Sequence, residues 1–246
     1  MPNAHLQGWF AASVPKAGSR AAENEDATAA DPKRVRFAVA DGATEGWQSR
    51  AWAQHLAGAF IRRPPGPADF PGWLAQVRRN WKPKTPKNEA WYASVKQDQG
   101  SFATLLGLEF RRSTDCFSLV WKAVAVGDSC LFLLRGDRFE VAFPVGSAAD
   151  FGTQPPLVPS SPQRECPEAE WLTGRAEPGD LFLLATDAVS RLLLDSSLPP
   201  RRVPIVAAAL QAVASGNGKP VVQLLGELQT ELKDDASVLA VSVAEQ

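Results

Sequence analysis

The stretch Val35-Arg36-Phe37-Ala38-Val39-Ala40-Asp41-Gly42 is a short apolar run that ends in an acid and a glycine. A run of this length, rich in Val and Phe, predicts a buried core strand. The strand would deliver the Asp41 carboxylate to the edge of the fold, where Gly42 lets the backbone turn sharply. Because strands also end in Asp-Gly simply to make a turn, the meaning of this stretch depends on whether the pattern recurs.

Acids stand at the edge of an apolar run at four other places in the chain. These places are Glu25-Asp26, Asp128, Asp187 and Asp234-Asp235. Taken singly, such an acid is usually a turn former or a helix cap. If the strands pack in one sandwich, however, their ends can converge, and converging carboxylates cannot all ionise without a cation. Oxygen ligands without Cys or His partners favour Mg²⁺ or Mn²⁺ over zinc, so the pattern predicts a carboxylate metal site.

Charge and composition give no sign of a nucleic-acid or membrane partner. The 246 residues contain 26 Lys and Arg against 27 Asp and Glu, which leaves a net charge of −1. Such a balance produces no global field that would attract nucleic acid or an anionic membrane. No run approaches the roughly 20 apolar residues of a membrane helix, and the N-terminal residues lack the pattern of a secretory signal.

The three cysteines, at positions 116, 130 and 166, are widely spaced and odd in number. They form neither a zinc-finger pattern nor a disulfide framework. A reducing cytoplasm is the simplest setting for such a chain. The spacing of a Cys and an Arg that thiol phosphatases use is also absent around all three.

Hydrophobic periodicity predicts a chain that mixes strands and helices. Strands are predicted at 8–14, 35–40, 101–110, 117–126, 129–135, 139–143, 181–186 and 237–243. Helices are predicted at 47–60, 70–81, 89–96, 188–194, 203–214 and 220–232. The strands between 101 and 143 have short connectors and predict an antiparallel meander. The pattern indicates an α+β sandwich with helices outside packed sheets, and no boundary divides residues 1–246, so we expect one domain.

Residues 144–167 are rich in Pro and Ser and show no periodicity. The segment is too long for a plain connector, so it is a surface flap, a functional loop or a passive surface loop.

The order and wording of the acidic motifs resemble those of the metal-dependent protein phosphatases of the 2C type, the PPM family. The matching motifs are ENED (23–26), FAVADG (37–42), GSFATL (100–105), AVGDS (125–129), GDLFLLATD (179–187) and DDASVLAV (234–241). Each motif is short, and their joint order over nearly the whole chain carries the resemblance. The chain looks most similar to compact bacterial members that have no extra domain.

The resemblance implies a four-layer α-β-β-α sandwich with two central antiparallel sheets and a binuclear Mg²⁺ or Mn²⁺ centre between them. By position, Asp41 would bridge the two ions and the Gly42 carbonyl would bind one of them, while Asp187 and Asp234 would bind the other. Glu25 and Asp26 would hold metal-bound waters, and Asp128 would serve a third, weaker ion together with Asp187. Asp235 would support the ligands or lie on the surface.

The resemblance also implies a reaction, in which a hydroxide that bridges two ions attacks the phosphorus of phosphoserine or phosphothreonine. Two ions about 3.5–4 Å apart lower the pKa of the bridging water and neutralise charge on the phosphoryl group. No covalent enzyme intermediate is needed, so the lack of a thiol motif is no objection. The implied partners are a phosphorylated protein and a Ser/Thr kinase or its targets.

The turns beside two metal-ligand positions differ from the family pattern. Asp187 is followed by Ala188, where the family usually has glycine, so that turn must tolerate a Cβ atom. Residues 43–46 (ATEG) replace the His or second glycine pair that many relatives have after Gly42. These changes reduce the expectation of efficient catalysis without removing a ligand.

The candidates for phosphate binding and general acid catalysis also depart from the family. Arg20 is the candidate phosphate-binding residue, although it stands about one residue out of register and a surface role is equally compatible with its position. His55 lies in a predicted helix, where a structural or solvent-facing role is expected. Leaving-group protonation would then depend on water.

Three hypotheses follow from the sequence. The first is a Mg²⁺- or Mn²⁺-dependent phosphatase of phosphoserine or phosphothreonine in proteins, whose flap at 144–167 influences substrate choice. The second is a catalytically weak or inactive regulatory module of the same fold that binds a phosphoprotein or kinase, for which the altered turns and the tryptophan-rich helices are the motivation. The third is a hydrolase of small phosphorylated molecules.

Overall fold

The strands and helices follow one another in the order that an α+β fold requires. The computed structural model describes residues 4–44, 48–83, 100–113, 119–195 and 199–245. Its strands are β1 (Ala4–Val14), β2 (Ala27–Asp31), β3 (Arg36–Ala40), β4 (Phe102–Ala103), β5 (Leu105–Arg112), β6 (Leu119–Val126), β7 (Cys130–Arg135), β8 (Arg138–Phe143), β9 (Val158–Pro159), β10 (Glu170–Ala176), β11 (Leu181–Ala185) and β12 (Ala236–Glu245). Its helices are α1 (Ser49–Arg62), α2 (Phe70–Asn80), α3 (Asp187–Leu194), α4 (Pro199–Ser215), α5 (Lys219–Glu227) and α6 (Gln229–Leu232).

Two five-stranded antiparallel sheets form the centre of the molecule. Sheet A has the strand order β1-β12-β11-β7-β8, and sheet B has the order β10-β6-β5-β3-β2. A separate two-stranded pair joins β4 to β9. The chain therefore switches repeatedly from one sheet to the other, which places the connectors between the sheets at the edges of the sandwich.

The two sheets face each other across a core of aromatic and aliphatic side chains. Phe37 of sheet B and Phe182 of sheet A are fully buried there, and Phe110 contacts Phe182 edge to face with ring centroids 4.9 Å apart. Such edge-to-face pairs are a favoured aromatic geometry. The core between the sheets thus rests on rings that both sheets contribute.

Helices cover the outer faces of both sheets. Helix α1 lays Trp52, Leu56 and Phe60 on sheet B, while α3, α4 and α5 bury side chains such as Val189 and Leu225 against sheet A. The molecule is therefore a four-layer α-β-β-α sandwich, which confirms the predicted fold class.

The burial of β3 on both of its faces explains why its sequence is an uninterrupted apolar run. Phe37 and Val39 belong to the core between the sheets, whereas Ala38 and Ala40 belong to the core under α1. Both faces of the strand are buried, as in a strand covered on both sides. The small Ala side chains on the helix face let α1 pack close to the sheet.

The predicted meander over residues 101–143 is wrong. Strands β5 and β6 pair in sheet B, and β7 and β8 pair in sheet A, so β6 and β7 are not neighbours. The short connector at Gly127-Asp128 crosses from one sheet to the other instead of closing a hairpin. The conformation of Gly127, with φ +109°, permits this crossing, and a Cβ there would lie 2.6 Å from the Thr104 side chain.

Several other elements differ from the sequence-based expectation. Strands β2 and β10 were not predicted, and the predicted helix at 220–232 is divided into α5 and α6. The predicted helix at 89–96, the first residue of the predicted helix at 47–60 and residues 117–118 of a predicted strand lie outside the described residues. Among the helices that the structure describes, none combines the length and apolar character needed to cross a membrane.

The segment at 144–167 is largely irregular, as expected. It contains only a short 3-10 turn at Ala148–Asp150 and the two-residue strand β9. Residues 151–155 and Leu157 line the cleft described below, together with Arg164. The segment is therefore adjacent to the acidic strand ends.

Candidate metal centre

Four of the sequence-predicted acids come together at one edge of the sandwich. Asp41 follows β3, Asp128 connects β6 to β7, Asp187 begins α3 directly after β11, and Asp234 precedes β12. All four line one cleft with a volume of about 920 Å³. The two sheets both contribute, because β3 and β6 belong to sheet B whereas β11 and β12 belong to sheet A.

The backbone of Asp41 is fixed by the neighbouring strand ends. Its N–H donates to Thr104 Oγ1 at 2.9 Å, and its carbonyl accepts from the Thr104 N–H at 2.8 Å. Thr104 Oγ1 lies in turn 2.8 Å from Ser129 Oγ, which follows Asp128. This network ties the ends of β3 and β6 together. It thereby fixes the backbone position from which the Asp41 side chain extends.

The acidic environment raises the pKa of the Asp41 carboxyl well above its usual range. Burial is the main cause, and the charges of Asp26, Asp187, Asp234 and Asp128 add to it. Carboxylates that oppose one another in this way favour protonation or a bound cation. Asp41 is thus at the electrostatic centre of the acidic group.

Asp26 is buried behind the cleft and is tied to both sheets. Its Oδ2 accepts a hydrogen bond from Thr186 Oγ1 at 3.0 Å, and that hydroxyl accepts one from the Ser237 N–H at 3.0 Å. Its Oδ1 is buried and has no hydrogen-bond partner among the described residues. Burial raises the pKa of Asp26 to about 7. A buried oxygen without a partner needs a water, a proton or a cation.

Asp187 also retains an oxygen that the protein does not satisfy. Its Oδ1 is buried without a hydrogen-bond partner among the residues the structure describes. Burial raises the pKa of this carboxyl, the positive charge of Arg191 lowers it, and Asp234 raises it again. Ala188 is buried within α3 in helical conformation. That conformation requires no glycine, so the Cβ atom that the sequence raised as a concern is accommodated.

Gly42 lies where a larger residue would not fit. A Cβ atom there would be 2.8 Å from the Ser49 carbonyl carbon and 2.9 Å from the Glu25 carbonyl oxygen. Glu25 is half-buried, and burial raises the pKa of its carboxyl, while a hydrogen bond from Thr44 lowers it. The altered turn after Gly42 thus supplies a partner to Glu25 through Thr44, and Glu45 and Gly46 lie outside the described residues.

The neighbouring residues Asp234 and Asp235 have different environments. The Asp234 side chain is half-exposed, with Lys16 Nζ 3.7 Å from its Oδ1. Asp235 is buried, and its two oxygens accept hydrogen bonds from the N–H groups of Lys16 at 2.8 Å and Glu25 at 2.6 Å. Asp235 therefore connects the segment after β1, the acidic motif at 25–26 and the start of β12.

Two other sequence candidates lie away from the cleft lining. Arg20 is 84% exposed and pairs with Glu23 at 3.0 Å. His55 lies in α1, where its Nε2 is 3.0 Å from the Val77 carbonyl oxygen and its ring stacks on Trp52.

The arginines that do line the cleft were not singled out from the sequence. Arg164 lies over the Phe102 ring, with the guanidinium carbon 5.2 Å from the ring centroid. Arg191 contacts Asp187 through Nε, which is 3.3 Å from Oδ2. The spacing of four residues between Asp187 and Arg191 on a predicted helix was a usable signal, because residues so spaced share a helix face.

The oxygen atoms that line the cleft are of the chemical type that hard divalent cations prefer as ligands. The described lining offers carboxylate, hydroxyl, amide and carbonyl oxygens and no His or Cys, which suits Mg²⁺ or Mn²⁺, and two of the buried carboxylate oxygens lack a partner among the described residues. In the described part of the chain, no group of three or more His, Cys, Asp or Glu side chains is arranged to hold a metal ion as it stands. A cation would therefore have to draw these carboxylates closer together.

Comparison with known proteins identifies the fold. No protein-family model matches the sequence, and no curated protein matches it significantly. The catalytic domain of the serine/threonine protein phosphatase PstP in complex with two manganese ions is 23% identical with a TM-score of 0.61, covering 99% of this chain and 100% of that chain. The PPM Ser-Thr phosphatase MsPP from Mycobacterium smegmatis, in complex with cacodylate, is 18% identical with a TM-score of 0.59, covering 96% and 98%.

A third similar structure is PppA, a key regulatory component of T6SS in Pseudomonas aeruginosa. It is 21% identical with a TM-score of 0.58, and the match covers 98% of this chain and 100% of that chain. At these identities the likeness concerns the arrangement of the backbone. The chain has the four-layer fold of the PPM-type serine/threonine phosphatases.

Proposed function

We propose that this chain is a Mg²⁺- or Mn²⁺-dependent phosphatase that hydrolyses phosphoserine or phosphothreonine in proteins. The observation that supports the proposal most is the position of Asp41, Asp128, Asp187 and Asp234, which line one cleft although they come from both sheets. In this proposal residues 1–246 act as one catalytic domain in the cytoplasm.

The metal-binding role would be divided among a few residues. Asp41, the Gly42 carbonyl, Asp187 and Asp234 would hold the divalent ions. Bound divalent ions would supply an acidified water as nucleophile and positive charge for the phosphoryl oxygens. Asp128, to which the family pattern gives a role toward a third ion, lines the same cleft.

Other residues would hold this group in place. Thr104 fixes the Asp41 backbone through two hydrogen bonds. Asp235 holds the Glu25 backbone, so that Glu25 and Asp26 can position waters at the inner side of the site. Because the fold already fixes these groups, they would need to move little during the reaction.

Thiol and histidine chemistry have no support at this site. Burial raises the pKa of the Cys130 thiol to about 12, so it is not a thiolate at neutral pH. No histidine is among the cleft-lining residues that the structure describes. The proton for the leaving Ser or Thr oxygen would come from water in the cleft.

The substrate would be a phosphorylated protein segment, with a Ser/Thr kinase or its targets as partners. The cleft is lined on one side by flap residues 151–155, which would contact the polypeptide around the phosphorylated residue. The fold likeness to PppA, a regulatory component, supports a regulatory setting. Arg20 remains a candidate for phosphate binding only if its pairing with Glu23 is broken on substrate binding.

Phosphate release tests the proposal directly. Wild type, Asp41→Asn and Asp187→Asn would be assayed on an aryl phosphate and a phosphothreonine peptide, with Mn²⁺ and with EDTA. Hydrolysis should require Mn²⁺ and fall at least about a hundred-fold in both variants, since even residues behind a metal ligand cost 10–100-fold. Asp137→Asn, an exposed turn residue outside the cleft, is the matched control. Absent activity with Mn²⁺, or activity unaffected by the substitutions, would refute the proposal.

A regulatory module without turnover is the second candidate. It is favoured by the fact that the described carboxylates are not already arranged as a metal-binding group. Tight binding of Mn²⁺ or of a phosphoprotein with no phosphate release would support it. Preference for small phosphorylated molecules over phosphopeptides in the same assay would instead support a hydrolase of small substrates.

A further inference from the structure

Arg191 lies between the two carboxylates of Asp128 and Asp187. Its Nε is 3.3 Å from Asp187 Oδ2, and its Nη2 is 4.0 Å from Asp128 Oδ2. Asp187 and Arg191 are four residues apart in α3, so both side chains lie on the same face of the helix. The guanidinium therefore reaches back over the first turn of α3 to the end of the β6–β7 connector.

The flap holds the guanidinium from its other side. Nη2 donates to the Gly152 carbonyl at 3.3 Å, and the guanidinium carbon lies 4.6 Å from the centroid of the Phe151 ring. Stacking on an aromatic ring together with a fork of hydrogen bonds fixes an arginine better than a single ion pair does. Arg191 is thus held in place by α3, the connector and the flap, although its side chain is 43% exposed.

The positive charge of Arg191 opposes the negative charges of Asp128 and Asp187. Burial, with the charge of Asp187, raises the pKa of Asp128 to about 6, and the charge of Arg191 acts in the opposite direction. Arg191 likewise opposes the effect of burial on the pKa of Asp187. The guanidinium therefore lies within ion-pair distance of both carboxylates and offsets part of their negative charge.

We propose that the Arg191 guanidinium takes the place of a metal ion between Asp128 and Asp187, so that Asp128 is a partner of Arg191 and not a metal ligand. The inference rests on the proposed function in so far as it takes the cleft to be a metal centre. Asp187 then divides its oxygens. Oδ2 pairs with Arg191, and Oδ1, which has no partner among the described residues, is left for the ions at Asp41 and Asp234.

Positive charge and occupied space both act against an ion at this position. A cation placed between Asp128 and Asp187 would lie beside the guanidinium and would compete with it for Asp187 Oδ2. Removing the guanidinium should leave two carboxylates that face each other without a counter-ion, and such a pair recruits either a proton or a metal. The proposal therefore predicts that a metal site appears when Arg191 is lost.

The stoichiometry of bound Mn²⁺ tests this inference. Wild type, Arg191→Met, Arg191→Lys, Asp128→Asn and the double variant Arg191→Met/Asp128→Asn would be titrated with Mn²⁺ alone by calorimetry and equilibrium dialysis. Arg191→Met should bind one Mn²⁺ more than wild type, and adding Asp128→Asn should abolish that gain. Arg191→Lys keeps the charge and should keep the wild-type stoichiometry, which also controls for folding.

The same titration can contradict the inference. If Arg191→Met binds the same number of ions as wild type, or fewer, Arg191 does not replace a cation and only anchors the flap or Asp187. A loss of one ion from wild type on Asp128→Asn alone would also overturn it, because Asp128 would then be a ligand beside Arg191.

Failure of the proposed function gives a different result. In that case wild type releases no phosphate with Mn²⁺ from any substrate tested, whatever the Arg191 variants bind. Mn²⁺-dependent hydrolysis by wild type, combined with no extra ion in Arg191→Met, would refute the inference alone.

Discussion

Asp235 shows how one buried carboxylate can organise residues that are far apart in the sequence. It accepts hydrogen bonds from the N–H groups of Lys16 and Glu25, at 2.8 and 2.6 Å. Neither backbone group belongs to a strand that could satisfy it. Asp235 therefore holds the Glu25 backbone, while its neighbour Asp234 remains half-exposed and lines the cleft.

Removing the Asp235 carboxylate should destabilise the fold. Asp235→Ala leaves two backbone donors without their charged acceptor, at a cost of about 3–6 kcal/mol, since hydrogen bonds to charged groups contribute about 1.5–3 kcal/mol each. Asp235→Asn retains one acceptor and should cost about half as much. Urea unfolding measures both, with the exposed Asp137→Asn as the control that should stay within about 0.5 kcal/mol. Equal stability of wild type and Asp235→Ala would show that these contacts do not hold the site.

The acids that line the cleft could be singled out from the sequence, whereas Arg191 had a local signal only for its pairing with Asp187. Each of the four acids adjoins an apolar run, namely Asp41, Asp128, Asp187 and Asp234. This local signal can be recognised without knowledge of the tertiary structure. The role of Arg191 depends on where the connector at Asp128 and the flap residue Gly152 lie in space. No local pattern contains that information.

At the scale of elements, the contact between α1 and β5 is unusually close. A Cβ atom on Gly107 would lie 2.3 Å from Cε2 of Phe60, which is fully buried against sheet B. The missing side chain at Gly107 is what lets the Phe60 ring rest on the sheet. This contact fixes α1, whose first residue, Ser49, packs against Gly42.

Filling this space should destabilise the packing of α1. Gly107→Ala should lower the free energy of unfolding by about 1–3 kcal/mol, the usual cost of overpacking a core. Gly72→Ala is the matched control, because a Cβ atom at that position in α2 meets nothing within 4 Å. This variant should stabilise the helix by about 0.5–1 kcal/mol. Thermal unfolding of both variants measures the difference. A Gly107→Ala variant as stable as wild type would mean that α1 shifts freely on the sheet.

Predicted and observed elements differ mainly at the edges of sheet B. The central strands such as β3, β5 and β11 were predicted because burial on both faces leaves a continuous apolar run. Strands β2 and β10 are the two edge strands of sheet B, and their short or polar sequences ATAAD and EWLTGRA carry no such run. Edge strands are stabilised by pairing with a neighbour, which a local pattern does not reveal.

The sequence pattern also does not predict to which of the two sheets each strand belongs. A two-residue connector normally indicates a hairpin, yet Gly127-Asp128 passes between sheets. Because this crossing brings Asp128 into the same cleft as Asp187, the wrong meander and the acidic cleft concern the same residues.

At the scale of the whole molecule, the buried acids make stability depend on pH. Burial raises the pKa of Asp26 to about 7 and that of Asp128 to about 6. In each case the folded state holds the proton more tightly than the unfolded chain does. Their contribution to stability is therefore complete below the ordinary Asp pKa of about 4 and is lost as the pH rises through about 6–7.

Thermal unfolding across pH 5–8 checks this dependence. In EDTA the melting temperature should fall over this range, whereas Mn²⁺ should raise it most at the high end, where the carboxylates are free of protons. Asp26→Asn cannot ionise and should flatten the slope in EDTA. An identical slope in wild type and Asp26→Asn would contradict the assignment of this effect to Asp26.

The most direct test of a metal centre at the end of β3 is a crystal structure of the protein grown with Mn²⁺, with anomalous difference maps recorded for wild type and Asp41→Asn. We predict two peaks about 3.5–4 Å apart that share the Asp41 carboxylate, and loss of at least one of them in the variant. Absence of any anomalous peak within ligand distance of Asp41 in the wild-type crystal would contradict the account.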